Sequence, residues 1–180
     1  MSTLSNYTRS GPWIYVADLA AYNNGFLHGR WINAATDYDN MRVEINEMLM
    51  QSPVPDQAEE YAIHDFEGFG HYRVEEYSNI EKINEIAIAI DEADDVDMFT
   101  GIFDHLGRDD IEETKQFIES NYSGEWDDLG EYAENLCEDT GDLYSVPEHL
   151  RVYIDFDAYG RDLEMSGDIF TIDKHVFWSR

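Results

Sequence analysis

Apolar residues arrive in two rhythms along this chain, and the change from one to the other divides it. Residues 13 to 19 (WIYVADL) form a β-rich, mostly apolar run that predicts a buried strand, and Tyr22-Asn23-Asn24-Gly25 after it is loop chemistry. Gly29 to Asn33 reads as a second short strand. Asp37 predicts the N-cap of a helix over 38–50, with Met41, Ile45, Met48 and Leu49 on one face. Ser52-Pro53-Val54-Pro55 ends that helix, because proline lacks the amide proton and clashes with the preceding turn. Residues 60 to 65 alternate as a third strand. The first 70 residues thus read as a small α+β module.

From Ser78 the period becomes helical. Ser78-x-x-Glu81 predicts a capping box ahead of Ile80, Ile83, Ile86, Ala87 and Ile90, with a helix running to about Glu92. Asp95 caps a second helix carrying Val96, Phe99, Ile102, Phe103 and Leu106, which Gly107 closes. Asp109 or Asp110 starts a third with Ile111, Phe117 and Ile118. After an interruption at Ser123-Gly124, Trp126, Leu129, Tyr132, Ala133 and Leu136 mark a fourth, ended by Thr140-Gly141. Beyond Pro147 lies an apolar segment over 149–154. Asp155 then caps a short helix through Leu163, and Ile169–Ile172 with His175–Trp178 predicts a hairpin across Asp173-Lys174.

The fold class expected is α+β, with N- and C-terminal α+β parts around an acidic helical middle. The expected modules span 1–70, 71–110 and 111–180. With 180 residues and 25 aromatic side chains spread throughout, the chain lacks the composition of an acidic disordered tail. No apolar run has the length of a signal-peptide core or a membrane span. Cys137 stands alone, so the fold needs no oxidising compartment and a reducing cytoplasm is the expected location.

Charge changes the picture more than composition does. Forty acids against eleven Lys and Arg give a formal net charge of -29, a level at which self-repulsion opposes the compact state. Residues 61–150 alone hold 26 acids against Arg73, Lys82, Arg108 and Lys115. Such a surface excludes direct nucleic-acid binding, which needs clustered Lys or Arg to neutralise phosphates.

Spacing rules out the usual chemistry of carboxylates. Asp91 to Asp97 lacks the Gly and the terminal Glu of a calcium loop, and Asp155 to Gly160 is followed by Ser166 where the bidentate Glu belongs. His28, His64, His71, His105, His149 and His175 are scattered, and one Cys makes no zinc site, so no metal and no cofactor is expected. His64-Asp65-Phe66-Glu67 holds an acid and a base, yet adjacent strand residues face opposite ways. A hydrolase built on His64 is therefore the weaker reading, and no catalytic residue is assigned.

What remains is the array itself: Asp91, Glu92, Asp94, Asp95 and Asp97, then Asp109, Asp110, Glu112, Glu113 and Glu119, then Glu125, Asp127, Asp128, Glu131, Glu134 and Glu138. On a helix, acids three or four apart stand about 5–6 Å from one another and repel. A merely soluble face would mix both signs. Adaptation to high salt would spread acid over every surface, whereas residues 1–60 carry only eight acids and residues 151–180 six. A functional polyanion that competes with DNA for a cationic groove accounts better for this pattern. A general acidic chaperone for basic partners is the alternative.

Residues 14 to 32 (IYVADLAAYNNGFLHGRWI) resemble the opening signature of the ArdA antirestriction proteins. Residues 61–69 (YAIHDFEGF) are similar to that family's next block, residues 117–133 (FIESNYSGEWDDLGEYA) to its antirestriction motif, and residues 153–163 to its C-terminal block. The resemblance implies an elongated, dimeric, non-enzymatic protein of two to three small modules. It implies that this protein mimics B-form DNA and inhibits type I restriction-modification enzymes, methyltransferase and specificity subunits included. Among the motif residues, Tyr22, Gly25, Gly29 and Trp31 are expected to be structural, the glycines as turns. So are Tyr122, Gly124, Trp126 and Tyr132. Asp127, Asp128, Glu131 and Glu134 are the better phosphate surrogates, with no single carboxylate essential.

Overall fold

The computed structural model describes residues 10–107 and 110–179. The chain divides into two compact units, one ending at Ile111 and the other beginning at Glu112, and both mix helix with antiparallel sheet. The fold class is α+β.

The first unit is built on a three-stranded sheet in the order β2-β1-β3, from β1 (Trp13–Asp18), β2 (Gly29–Asn33) and β3 (Tyr61–Glu67). The central strand pairs antiparallel with both neighbours, Ile14 opposite Ile32 on one side and Val16 opposite Ile63 on the other. These four side chains are buried, which fixes the register, since a one-residue slip would turn them all to water. α2 (Tyr38–Met50) packs beside β1 and β2, burying Met41, Ile45 and Met48, and Asp37 caps it by accepting from the amides of Asp39 and Asn40.

Where loop was expected at Tyr22 and Asn23, a five-residue helix α1 (Leu19–Asn23) forms instead. The cause is Asp18, whose carboxylate accepts from Ala21 N at 3.1 Å and caps a turn too short to show a period. Gly25, at φ 81, makes the turn assigned to it. Gly29 does not: it lies in β2, where a Cβ would stand 2.6 Å from Val16 O and 2.7 Å from the Tyr15 ring. It is there for close approach.

Two helices complete the unit, α3 (Ile80–Asp91) and α4 (Val96–Leu106), joined by the short acidic corner 92–95. The cap of α3 is Asn79 rather than Ser78. Asn79 Oδ1 accepts from Glu81 N at 2.9 Å and Lys82 N at 3.1 Å, while Ser78 Oγ serves the preceding turn by accepting from Glu75 N. Asn84, buried on α3, donates to Ala34 O at 2.7 Å and Thr36 O at 2.8 Å, tying the helix to the chain after β2. A run of ring contacts, Phe66–Phe69, Phe69–Tyr72 and Tyr72–Phe103, links β3 to α4.

The second unit holds a sheet in the order β4-β6-β5, from β4 (Tyr122–Glu125), β5 (Ile169–Ile172) and β6 (His175–Trp178). Its hairpin turns at Asp173, which takes φ 52. β4 carries no alternating pattern (YSGE) and exists because β6 supplies its ladder. On one face, Ile169 and Val176 pack with Tyr132 of α6 (Leu129–Thr140), flanked by Trp126, Leu129, Leu136 and Leu163. On the other, Phe177 and Phe170 stack at 5.3 Å, and Phe117 of α5 (Ile111–Asn121) lies 6.0 Å from Phe170.

The helix expected from Trp126 onward begins only at Leu129, capped by Asp128. α7 (Glu148–Arg151) is a single turn within the apolar segment, and α8 (Phe156–Met165) starts at Asp155 as the sequence predicts. α8 rests directly on α6, because a Cβ at Gly160 would overlap the backbone of Leu129.

Candidate functional site: two acidic helical surfaces

Both units are anionic. Residues 1–111 hold 22 acids against six bases, and residues 112–180 hold 18 against five.

In the first unit the acids gather at the α3–α4 corner, where Asp91, Glu92, Asp94, Asp95 and Asp97 fall within seven residues. Asp95 is spent on structure: its Oδ1 accepts from Met98 N at 2.8 Å and caps α4. The other four are exposed. Asp97 lies in the first turn of α4, where the helix dipole welcomes it, but Asp91 and Glu92 sit at the C-terminal end of α3, where partial negative charge already accumulates.

The second unit repeats this placement. Glu112 and Glu113 occupy the favourable first turn of α5, whereas Glu119 lies in its last turn, and Glu138 with Asp139 closes α6; neither helix has a base in its last turn. Glu131, Glu134 and Glu138 share the solvent face of α6, opposite the buried Tyr132, Ala133 and Cys137. At 1.5 Å rise per residue they present one carboxylate about every 5 Å, the same order as the ~3.4 Å between charges along one strand of a duplex.

Pairing separates members of the set. Lys174 Nζ donates to Asp127 Oδ1 at 2.6 Å. That bond and the adjacent charge hold the Asp127 carboxyl below its ordinary range and push the Lys174 ammonium up, with Glu125 and Glu131 also favouring the cation. Asp128 caps α6 through Glu131 N at 2.9 Å, and Glu131 Oε2 accepts from Asp127 N at 3.2 Å. Asp91, Glu92, Asp94, Glu112, Glu119, Glu134 and Glu138 have no cation partner among the described residues. Asp110 and Glu125 are exposed, Glu113 is half-buried, and Asp109 lies outside the described residues.

The motif residues fall on both sides of the surface. Tyr132 is buried, its ring 5.7 Å from that of Trp126, and the Trp126 indole donates to Ser123 O at 3.0 Å. Gly124, at φ 107, passes beneath that indole. Tyr122 contacts Phe177 and His175, and Trp31 packs 5.6 Å from Tyr15. Tyr22 is half exposed, its ring edge-on to His64.

His64 lies in an open groove with Tyr22, Asp65 and Glu76, and its Nε2 is 3.8 Å from Glu76 Oε1. Among the described residues no group of three His, Cys, Asp or Glu side chains is placed to hold a metal ion, and no helix is long and apolar enough to cross a membrane.

These features define a class: an α+β protein whose helices turn carboxylates outward, several at helix ends where they oppose the backbone dipole. A family model described as Antirestriction protein (ArdA) matches residues 14–177 of the 180. The chain belongs to the ArdA family of antirestriction proteins, inhibitors that act against restriction enzymes. A search among curated proteins returned no match.

Proposed function

We propose that this protein mimics B-form DNA and occupies the DNA-binding channel of a type I restriction-modification enzyme, excluding DNA from the methyltransferase and specificity subunits by competition. The observation that carries the reading is the set of exposed carboxylates at the wrong helix ends. Asp91, Glu92, Glu119, Glu138 and Asp139 stand where negative charge costs stability, each typically about 0.3–1 kcal/mol at an exposed helix terminus. Their use lies outside the fold.

A cationic channel recovers that cost. Lys and Arg side chains placed to meet phosphates meet carboxylates instead, and the long-range field steers the encounter. The affinity is distributed, so neutralising one acid weakens binding slightly and neutralising several weakens it progressively.

The test is displacement. The purified protein is titrated against a type I methyltransferase bound to labelled duplex, with an unrelated DNA-binding protein alongside. Stoichiometric release from the methyltransferase alone supports a shaped mimic, with affinity falling steeply as salt rises. Equal release from both proteins favours the acidic chaperone, and release from neither sinks the mimic for that target.

A further inference from the structure

The acidic surface of the second unit carries its own cation. Lys174 stands at the turn of the β5–β6 hairpin, next to Asp173 at φ 52, and its main chain is fixed from β4's side: Trp126 N donates to Lys174 O at 2.9 Å. The residue after Trp126 is Asp127, whose Oδ1 takes the Lys174 ammonium at 2.6 Å. Asp127 is held in turn, because its amide donates to Glu131 Oε2 at 3.2 Å and Asp128 caps α6. Backbone and side chain thus bring one lysine to one carboxylate of the motif.

The fold gains little from this bond. The Lys174 side chain is 57% exposed and that of Asp127 81%, and an ion pair standing in water is screened and adds little stability. Crowding with acid does not account for it either. Lys115, exposed on α5 three residues after Glu112 and four before Glu119, holds no carboxylate among the described residues. The pairing at Asp127 is a placement.

We propose that Lys174 is a tethered counterion: it occupies Asp127 until a Lys or Arg of the restriction-modification target displaces it, and so lowers both the affinity and the salt dependence of docking. The proposal rests on the mimic reading above. The counterions around a duplex phosphate are mobile, and they leave into solution when a protein's cations replace them, which drives binding at low salt. Lys174 cannot leave. When a target cation takes Asp127, the lysine swings aside but stays joined to the hairpin, so no ion is released and two like charges are brought near each other. Lys174 is a positioning residue that acts through Asp127, and it makes this point of the array bind more weakly than its carboxylates imply. Glu134 and Glu138, further along α6, carry no such restraint.

The experiment compares wild type, Lys174→Met, Lys174→Arg, Lys115→Met, Asp127→Asn and the Asp127→Asn/Lys174→Met pair in the methyltransferase displacement assay, across a series of salt concentrations. Lys115→Met measures the gain from one added net negative charge alone. Lys174→Met is expected to displace about threefold better than that control, the scale of an exposed ion pair. Its slope of log affinity against log salt should steepen by up to about one, because Asp127 then gathers a mobile counterion that docking releases; the slope of Lys115→Met should stay as in wild type. Lys174→Arg keeps the tether and should match wild type. In the Asp127→Asn background, Lys174→Met should gain no more than Lys115→Met gains over wild type, since the coupling runs through that carboxylate. Equal gains and equal slopes for the two lysine variants overturn the tether alone. Weaker displacement by Lys174→Met also overturns it, showing that the bridge holds the motif in shape or that the lysine itself meets the target. Failure of wild type to displace duplex overturns the mimic reading and the tether with it.

Discussion

The two units differ in how they combine core with charge. Residues 19–36 of the first run acid-free, whereas the longest such stretch in the second is residues 174–180. Of the 28 buried apolar residues described, 21 belong to the first unit and seven to the second. The second unit therefore carries more charge per residue on a thinner core. Both effects act against it: less apolar area leaves water, at roughly 25 cal/mol per Å², and more like charge is held together. We expect the second unit to unfold first.

Phe177→Ala should have the largest effect, about 3–5 kcal/mol, because Phe177 is fully buried and packs against Tyr122 and Phe170. The readout is denaturant unfolding followed by tryptophan emission, with Trp13 and Trp31 reporting one unit and Trp126 and Trp178 the other. In a variant with Trp13 and Trp31 replaced by Phe, the transition should move down with the Phe177 change. One coincident wild-type transition for all four reporters would break the comparison.

Gly160→Ala comes next, at about 1–3 kcal/mol for forcing a methyl group into a packed contact, since the added carbon meets the Leu129 backbone. Gly29→Ala should do the same in the first unit against Val16 O and Tyr15. A neutral result at either position would mean that the close approach is not needed.

Reversing charge at the helix ends sharpens the comparison from the other side. Glu138→Lys and Glu92→Lys should each raise stability by about 0.3–1 kcal/mol at low salt while weakening displacement of duplex. Added salt should shrink the gain. It should also raise the wild-type melting temperature, more for the second unit than for the first. Loss of stability in both variants would show that these acids hold the fold after all.

The smallest effect is the Lys174–Asp127 pair. Asp127 is held low, so its contribution is complete above the ordinary carboxylate range and is lost as pH falls through the depressed value. Lys174 is pushed up, so its contribution is complete below the ordinary ammonium range and is lost as pH rises through the raised value. Between those limits the pair is insensitive to pH. Lys174→Met should let the Asp127 midpoint climb back in an NMR titration; an unmoved midpoint would remove the pair from the account.

The elements legible in advance were those with a period or a cap. Asp37, Asp95 and Asp155 each announce a helix, and the hairpin of β5 and β6 follows from two short β-rich runs around Asp173-Lys174. The misses share a cause. α1 is too short for a period, β4 has no pattern until β6 lies beside it, and Asn79 takes a cap that Ser78 also fits. Each was settled by a partner remote in sequence or by competition between neighbours.

The sequence by itself determined the α+β class, the family and the excess of acid, because patterning, motif blocks and charge are properties of residue order. Only the tertiary structure decided which carboxylates are available. Asp95 and Asp128 are drawn into caps and Asp127 into an ion pair, while Glu134 and Glu138 stay outward on α6. The reason is physical: an acid's cost or use depends on the donors within about 3 Å of its oxygens and on which end of a helix it occupies, and only the folded chain sets both.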